Sequence, residues 1–261
     1  MPPPANLVSP INEAQIVRVD DSKDHVEYEL LVINAFPEAV TLSSVTVLDP
    51  AKKELVRIEG DALTAATQTV FARTQTAVIL ASAAVSVDVD LILPPDTAPE
   101  RVTHRIAYTL KADSEVALMV GSLEVYAPEV AINRHPAMVI RPPLKGKGWL
   151  ATTACCKPNV HRDLRVAIDG VRIETAETFA VDWAKVKNDR IFEGDGKRAE
   201  QYYGFGEDVL AVADGTVVSM HDGMPDETPL VLMIPRSKSD YGGNNVFLKI
   251  APTQFTIAGA V

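Results

Sequence analysis

Cysteine is nearly absent from this sequence, which holds two cysteines among 261 residues. Cys155 and Cys156 are neighbours, and adjacent cysteines rarely bridge each other because the resulting geometry is strained. They also lack the Cys-x-x-Cys spacing that is typical of zinc and redox sites. We therefore expect two free thiols in a loop rather than a disulfide framework or a cysteine-based metal site.

Long apolar runs and clustered basic residues are missing as well. The longest apolar run, about residues 76–87, is shorter than the roughly 18 residues that a membrane helix needs. The formal net charge is −10, and the Lys and Arg residues are scattered rather than gathered in a stripe. Residues 1–10 do not place a basic segment before an apolar one, so no signal peptide is predicted. We expect no membrane span and no nucleic-acid partner, and the chain is either cytoplasmic or has lost an export signal.

The familiar catalytic motifs are also not found. The sequence has no GxxxxGK phosphate loop, no HExxH zinc helix, no GxSxG nucleophile elbow and no EF-hand loop. Residues 146–151 formally fit the GxGxxA pattern, but they follow two prolines rather than a strand, so we predict no nucleotide site there.

The first half of the chain reads as a succession of short strands. They are rich in β-branched residues and are separated by Asn, Asp, Pro and Ser, a spacing typical of a β-sandwich. In residues 85–92, Val and Leu alternate with Ser and Asp, which predicts a half-buried strand rather than an acidic metal loop. Residues 61–66 form the main helical signal. The expected strands are 15–19, 25–33, 39–48, 67–72, 76–81, 85–92, 102–110 and 117–126.

A proline- and glycine-rich stretch, residues 128–147, carries no clear periodicity and is predicted to be a linker. We therefore divide the chain into residues 1–140, a β-sandwich, and residues 141–261, a second β-rich domain. In the second domain, Asp214-Gly215 predicts a hairpin between residues 209–213 and 216–220. Further strands are expected at residues 231–234, at 245–250 and from residue 254 onward.

Residues 158–183 carry the most informative pattern. Two alternating apolar runs, residues 164–168 and 171–175, flank Asp169-Gly170, which is the strongest local signal for a tight hairpin. A third run, residues 179–183, can return alongside, so that His161 and Asp182 meet. An imidazole and a carboxylate are two of the three protein ligands of a catalytic zinc site. The alternative is ordinary: a surface histidine before a strand, and an aspartate that caps a turn. His221, in a Gly/Pro loop, is expected at the surface.

Several motifs occur in an order that resembles a known family. They are Asn159-Val-His161-Arg162, Asp169-Gly170, Phe179-Ala-Val-Asp182-Trp183, the hairpin at 209–218, and the segments 222–227 and 243–246. Over roughly residues 142–257 the chain resembles the lysostaphin-type (LytM-like) zinc metallopeptidases, which cleave peptide cross-links of bacterial cell walls. It looks most like a subgroup with an N-terminal immunoglobulin-like domain.

The resemblance implies a mainly β fold in which an immunoglobulin-like β-sandwich precedes an incomplete metallopeptidase-like domain. It also implies zinc as the cofactor, His161 and Asp182 as metal ligands, peptidoglycan as the partner and a periplasmic or extracellular location. The family's third ligand and general base are the histidines of a His-x-His strand, but no histidine follows His221 here. We therefore expect a C-terminally truncated and inactive form with at most weak zinc binding. The alternative is a non-catalytic β-rich binding or scaffold protein; an adhesin-like sandwich would explain the first half alone.

Overall fold

The fold of the chain is mainly β, as the sequence predicts. The computed structural model describes residues 6–70, 72–118, 120, 122–135, 138–154, 159–162, 165–168, 172–175, 177–226, 228–229, 231, 240, 242–251 and 254–260. Cys155, Cys156 and Asp169-Gly170 therefore lie outside the described residues, as does most of the strand expected at 231–234. The immunoglobulin-like assignment of the sandwich stays a prediction.

The chain divides into two compact units. The first unit contains Met1–Ala137 together with Cys155–Ala180, and the second contains Met138–Ala154 together with Val181–Val261. The first break lies close to the boundary expected after residue 140. Residues 155–180 were expected in the second domain, but they group with the first unit, because polar and charged side chains tie them to its sheet, as described below.

The first unit is built on one large curled sheet. Its strands run in the order β5-β4-β9-β11-β2-β3-β8-β6, with β1 added to β3, β7 to β4 and β10 to β9. The strands are β1 (Asn6–Pro10), β2 (Ala14–Arg18), β3 (Asp24–Asn34), β4 (Val40–Leu48), β5 (Glu54–Glu59), β6 (Thr67–Thr69), β7 (Val78–Ile79), β8 (Ala84–Leu93), β9 (Arg101–Thr109), β10 (Glu124–Tyr126) and β11 (Val130–Asn133). A short helix, α1 (Gly60–Ala66), and a 3₁₀ turn, Val116–Leu118, complete this part.

The core of the first unit follows from the two-residue period of its strands. Alternate apolar residues of β3 and β8 pack in one cluster with those of β4 and β9. At the centre, the Tyr28 hydroxyl lies 2.6 Å from His104 Nε2, and both side chains are buried. Burial lowers the pKa of His104 to about 4, so the ring is neutral at physiological pH. A neutral imidazole can accept the hydrogen bond of the Tyr28 hydroxyl on Nε2, which pairs these two atoms inside the core, while His104 Nδ1 stays buried without a hydrogen-bond partner among the described residues.

Two sequence predictions for this unit need correction. Residues 130–133, assigned to the linker, form β11, which pairs in parallel with β2 and antiparallel with β9. The alternation of buried Val130 and Ile132 was the overlooked signal. Residues 117–126, expected as a strand, hold the end of the 3₁₀ turn and only the short β10. The other predicted strands of this half are present with shifted ends, and the helix at 61–66 is confirmed.

The hairpin predicted around Asp169-Gly170 is present in the first unit. Its strands are β13 (Arg165–Ile168) and β14 (Arg172–Thr175), and they pair antiparallel with Arg165 opposite Thr175 and Ile168 opposite Arg172. Residues 179–181 do not return as a strand alongside this hairpin, because the amide of Ala180 donates to the carbonyl of Glu177 in a turn.

The described residues of the second unit form two small antiparallel sheets. One pairs β12 (Trp149–Thr153) with β15 (Asp182–Lys185), and the other has the order β16-β17-β18. Its strands are β16 (Thr216–His221), β17 (Asn244–Ala251) and β18 (Gln254–Ala260), and a 3₁₀ turn spans Ala199–Gln201. The strands expected at 245–250 and from residue 254 are therefore confirmed.

The hairpin predicted around Asp214-Gly215 is wrong. Residues 209–213 form no strand, because their backbone bonds to the preceding chain: the amide of Leu210 donates to the Pro143 carbonyl, and that of Arg141 to the Val212 carbonyl. Strand β16 pairs with β17 instead. Gly215 permits this close approach, since a Cβ at that position would collide with the carbonyl of Lys249.

Candidate functional site

The segment that contains His161 begins with an asparagine turn. The Asn159 Oδ1 atom accepts two backbone bonds, from the amide of His161 at 2.9 Å and from that of Arg162 at 3.2 Å. Asparagine favours such turns because its short side chain can replace a backbone acceptor. The Asn-x-His-Arg motif therefore has a local structural role in fixing the backbone from which His161 and Arg162 project.

The His161 ring is held by a carboxylate. Its Nδ1 atom lies 3.0 Å from Glu177 Oε2, and the His161 side chain is 13% exposed. Because an ionised carboxylate can only accept a hydrogen bond, this contact requires the proton on Nδ1, and in the neutral ring the lone pair then lies on Nε2. Metal-binding histidines are typically oriented in this way, by a carboxylate on the second ring nitrogen. Sequence reasoning missed Glu177, since nothing in its spacing links it to His161.

Arg162 is the largest fully buried side chain in the described part of the molecule, at 1% exposed. Its Nε atom donates to Glu29 Oε1 at 2.8 Å and its Nη1 atom to Asp90 Oδ1 at 2.6 Å. Nη1 also lies 3.8 Å from Glu27 Oε2, and Nη2 donates to the Val89 carbonyl at 3.4 Å. A buried guanidinium is tolerated only when its charge and donors are matched in this way.

The acidic partners of Arg162 come from the face of the sheet opposite the core. Along β3 and β8 the strand register sets Glu27 across from Asp90, and Glu29 across from Asp88. Like charges that face each other across strands destabilise a sheet unless a cation lies between them. The face predicted to be the exposed half of residues 85–92 is therefore partly covered, with Ser86 and Asp88 buried and Asp90 at the rim.

This charge cluster changes the proton affinity of its members. Burial raises the pKa of Glu27 to about 7, Arg162 opposes that rise, and the Asp90 charge adds to it. Burial alone would lower the pKa of Arg162, but the carboxylates of Glu29 and Asp90 outweigh it and raise that pKa. Arg162 therefore stays charged, whereas Glu27 takes up a proton as the pH falls through about 7.

A second polar contact ties the same segment to the sheet. The Asn12 Nδ2 group donates to Glu29 Oε2 at 2.9 Å and to Thr178 Oγ1 at 3.2 Å. Glu29 thus receives Arg162 on one carboxylate oxygen and Asn12 on the other. Both ends of the segment that holds His161 are therefore linked to the buried Glu29 carboxylate, Arg162 directly and Thr178 through Asn12.

The second predicted ligand, Asp182, is the first residue of β15 and is exposed. Its carbonyl accepts a bond from Thr152 Oγ1 at 3.4 Å on the neighbouring strand. His161 belongs to the first compact unit and Asp182 to the second, so the expectation that they meet stays a prediction. Among the residues the structure describes, no three His, Cys, Asp or Glu side chains are grouped to hold a metal. A three-ligand catalytic zinc site is therefore not assembled within that part of the chain.

His221, expected at the surface, is the last residue of β16, and 31% of its side chain is exposed. Its Nε2 atom lies 3.6 Å from Asp240 Oδ1. Nearby, Asn244 makes two bonds to the backbone of Met224: its Oδ1 accepts from the amide at 2.9 Å, and its Nδ2 donates to the carbonyl at 3.0 Å. The segments 222–227 and 243–246, both noted in the sequence, are thus joined through Asn244.

No helix within the described ranges is long and apolar enough to cross a membrane. In comparisons with known proteins, no family profile matches the chain and no curated protein is detectably similar to it.

Proposed function

We propose that the chain is related to the lysostaphin-type zinc metallopeptidases of bacterial cell walls, and that these 261 residues bind zinc weakly and do not hydrolyse peptides. The order of the motifs between Asn159 and Val246 supports the relationship. The observation that supports the metal-binding part is the Glu177–Nδ1 contact, because a carboxylate on the second ring nitrogen is typical of metal-binding histidines.

His161 and Asp182 would hold the zinc ion. Zinc in such enzymes polarises a peptide carbonyl and lowers the pKa of a bound water to about 7. A catalytic site needs about three protein ligands and a base near that water. Among the described residues no group of three potential ligands includes His161, and the sequence has no histidine after His221 to serve as the family's third ligand or base. We expect His161 to bind the ion and Glu177 to fix the ring.

Equilibrium dialysis against zinc tests this proposal. The wild-type chain is expected to bind one ion, and both His161→Ala and Asp182→Ala should lose that site. Glu177→Gln is expected to weaken binding by about 10-fold, because it removes the carboxylate that orients the ring. His135→Ala, which removes an exposed histidine outside the site, should bind like wild type. Stoichiometric binding that survives in both ligand variants would contradict the assignment of His161 and Asp182.

Hydrolysis is tested separately, with cross-linked peptidoglycan and added zinc. We expect no release of peptide fragments from the wild-type chain. Turnover that His161→Ala abolishes would show that these residues form a working peptidase, and would overturn the non-catalytic half of the proposal.

The second candidate is a β-rich binding or scaffold protein without a metal. The apolar side chains exposed on β16, β17 and β18 favour it, since such surface is typical of contact with other molecules. This candidate would be favoured if neither the wild-type chain nor His161→Ala bound zinc in the dialysis experiment.

A further inference from the structure

The backbone of His161 is fixed through its neighbour. His161 and Arg162 share one acceptor, Asn159 Oδ1, and Arg162 extends from this turn into the acidic face of the sheet. Because the guanidinium is planar and bonded on its Nε, Nη1 and Nη2 atoms, it fixes position and orientation together. Moving Arg162 would therefore move the turn that carries His161.

The ring of His161 is fixed from the other side of the segment. Glu177, which accepts from Nδ1, is followed directly by Thr178, and Thr178 Oγ1 accepts a bond from Asn12. The same Asn12 amide donates to Glu29 Oε2. The backbone support and the ring support of His161 thus lead, by separate hydrogen bonds, to the two oxygens of Glu29.

We infer that Glu29, a residue of the β-sandwich, is a positioning residue for His161. Resting on the proposed function, this means that the sandwich forms part of the support of the proposed metal ligand rather than a separate accessory domain. Glu29 is fully buried and lies in β3 between Tyr28 and Leu30, both in the core. The hydrogen bonds that support His161 therefore end on a strand whose neighbouring side chains, Tyr28 and Leu30, are buried in the core.

Substitution of Glu29 by glutamine tests this inference. Glu29→Gln keeps the size of the side chain, removes its charge and replaces one acceptor with a donor, so Arg162 and Asn12 can no longer both be satisfied. In ¹⁵N-histidine NMR spectra, the wild-type chain should show His161 protonated on Nδ1, whereas the variant should show mixed tautomers. Amide hydrogen exchange at His161 and Arg162 should become at least about 10-fold faster, while amides of β4 and β9 stay protected.

Glu59→Gln is the matched control, because it removes an exposed carboxylate that pairs with Arg57 in the same unit. It should leave the His161 signals and the exchange rates unchanged. If Glu29→Gln does not fold, the double variant Glu29→Leu/Arg162→Met replaces the buried ion pair with apolar side chains. This variant should keep the β4 and β9 amides protected and still lose the single tautomer of His161.

Wild-type tautomer and exchange at His161 in a folded Glu29→Gln or double variant would overturn the inference. Zinc affinity is measured in parallel and separates the two proposals. If the wild-type chain binds no zinc while the NMR and exchange changes occur as expected, the proposed function fails and the positioning role stands. If zinc binds and both proposals hold, Glu29→Gln should weaken it by about 10- to 100-fold.

Discussion

The two compact units differ in how their strands are covered. In the first unit, the middle of β3 is buried on both faces, by the apolar core on one and by Arg162, which contacts Glu29, on the other. In the second unit, the sheet of β16, β17 and β18 leaves large apolar side chains exposed, and Val212 is the only buried apolar side chain among its described residues. A sheet gains most of its stability from what packs on its faces rather than from its ladder bonds. We therefore expect the first unit to be much the more stable of the two.

The largest expected effect on stability is that of Ile106→Ala in the first unit, compared with Ile257→Ala in the second. Ile106 is fully buried in β9, whereas Ile257 in β18 is 52% exposed. Ile106→Ala should lower the free energy of unfolding by about 2–5 kcal/mol, because it removes buried methyl groups and leaves a cavity. Ile257→Ala should change it by less than about 0.5 kcal/mol.

Urea denaturation can report the two units separately. Trp149 and Trp183, the two tryptophans of the chain, both belong to the second unit, so tryptophan fluorescence follows that unit, while circular dichroism follows both. Equal losses of unfolding free energy in Ile106→Ala and Ile257→Ala would contradict the claim that the strands of the first unit are better covered than those of the second.

A pH-dependent effect of intermediate size is expected at Glu27. Its pKa is about 7 in the folded chain against an ordinary value of 4.5, so between these pH values the folded state holds a proton that the unfolded state has lost. The stability from this group is complete below pH 4.5 and is lost as the pH rises through 7. Glu27→Gln cannot ionise, so it should gain up to about 3 kcal/mol relative to wild type between pH 4.5 and 8.

Urea titrations at several pH values measure this gain. Glu59→Gln, an exposed carboxylate of the same unit, controls for the change in net charge. A Glu27→Gln difference that does not vary with pH would show that folding leaves the pKa of Glu27 unchanged, and would contradict this prediction.

The smallest effect on stability is expected at Phe255 in β18, which is 54% exposed. Phe255→Ser should change the free energy of unfolding by less than about 0.5 kcal/mol. It should nevertheless reduce self-association, since exposed apolar strands promote contact between molecules. Analytical ultracentrifugation over a range of concentrations measures this change, and Val78→Ser in the first unit, at 42% exposed, is the matched control.

Period-two patterns and turn chemistry predicted much of the fold. The strands of the first unit and the hairpin that joins β13 and β14 follow from alternation and from Asp169-Gly170. The same turn signal failed at Asp214-Gly215, because residues 209–213 bond to the chain around Pro143. A dipeptide describes a local turn preference, but it holds no information about which distant backbone will compete for the strand.

The candidate site was predicted only in part. The sequence identified His161 from its motif, but it gave no reason to connect Arg162 with Glu29, which lies 133 positions earlier in the chain. The aspartates of residues 85–92 were expected on the exposed half of an alternating strand, since alternation separates two faces and does not say whether both are covered. Only the tertiary structure shows that an arginine neutralises that face.

The grouping of residues 155–180 with the first unit has a practical consequence for dissecting the molecule. Expression of residues 1–140 alone would leave Glu27, Glu29, Asp88 and Asp90 without the guanidinium that neutralises them. Expression of residues 141–261 alone would leave Arg162 without its carboxylates. A fragment boundary chosen at the linker therefore separates the buried carboxylates from the arginine that neutralises them. Each fragment by itself is expected to be poorly soluble.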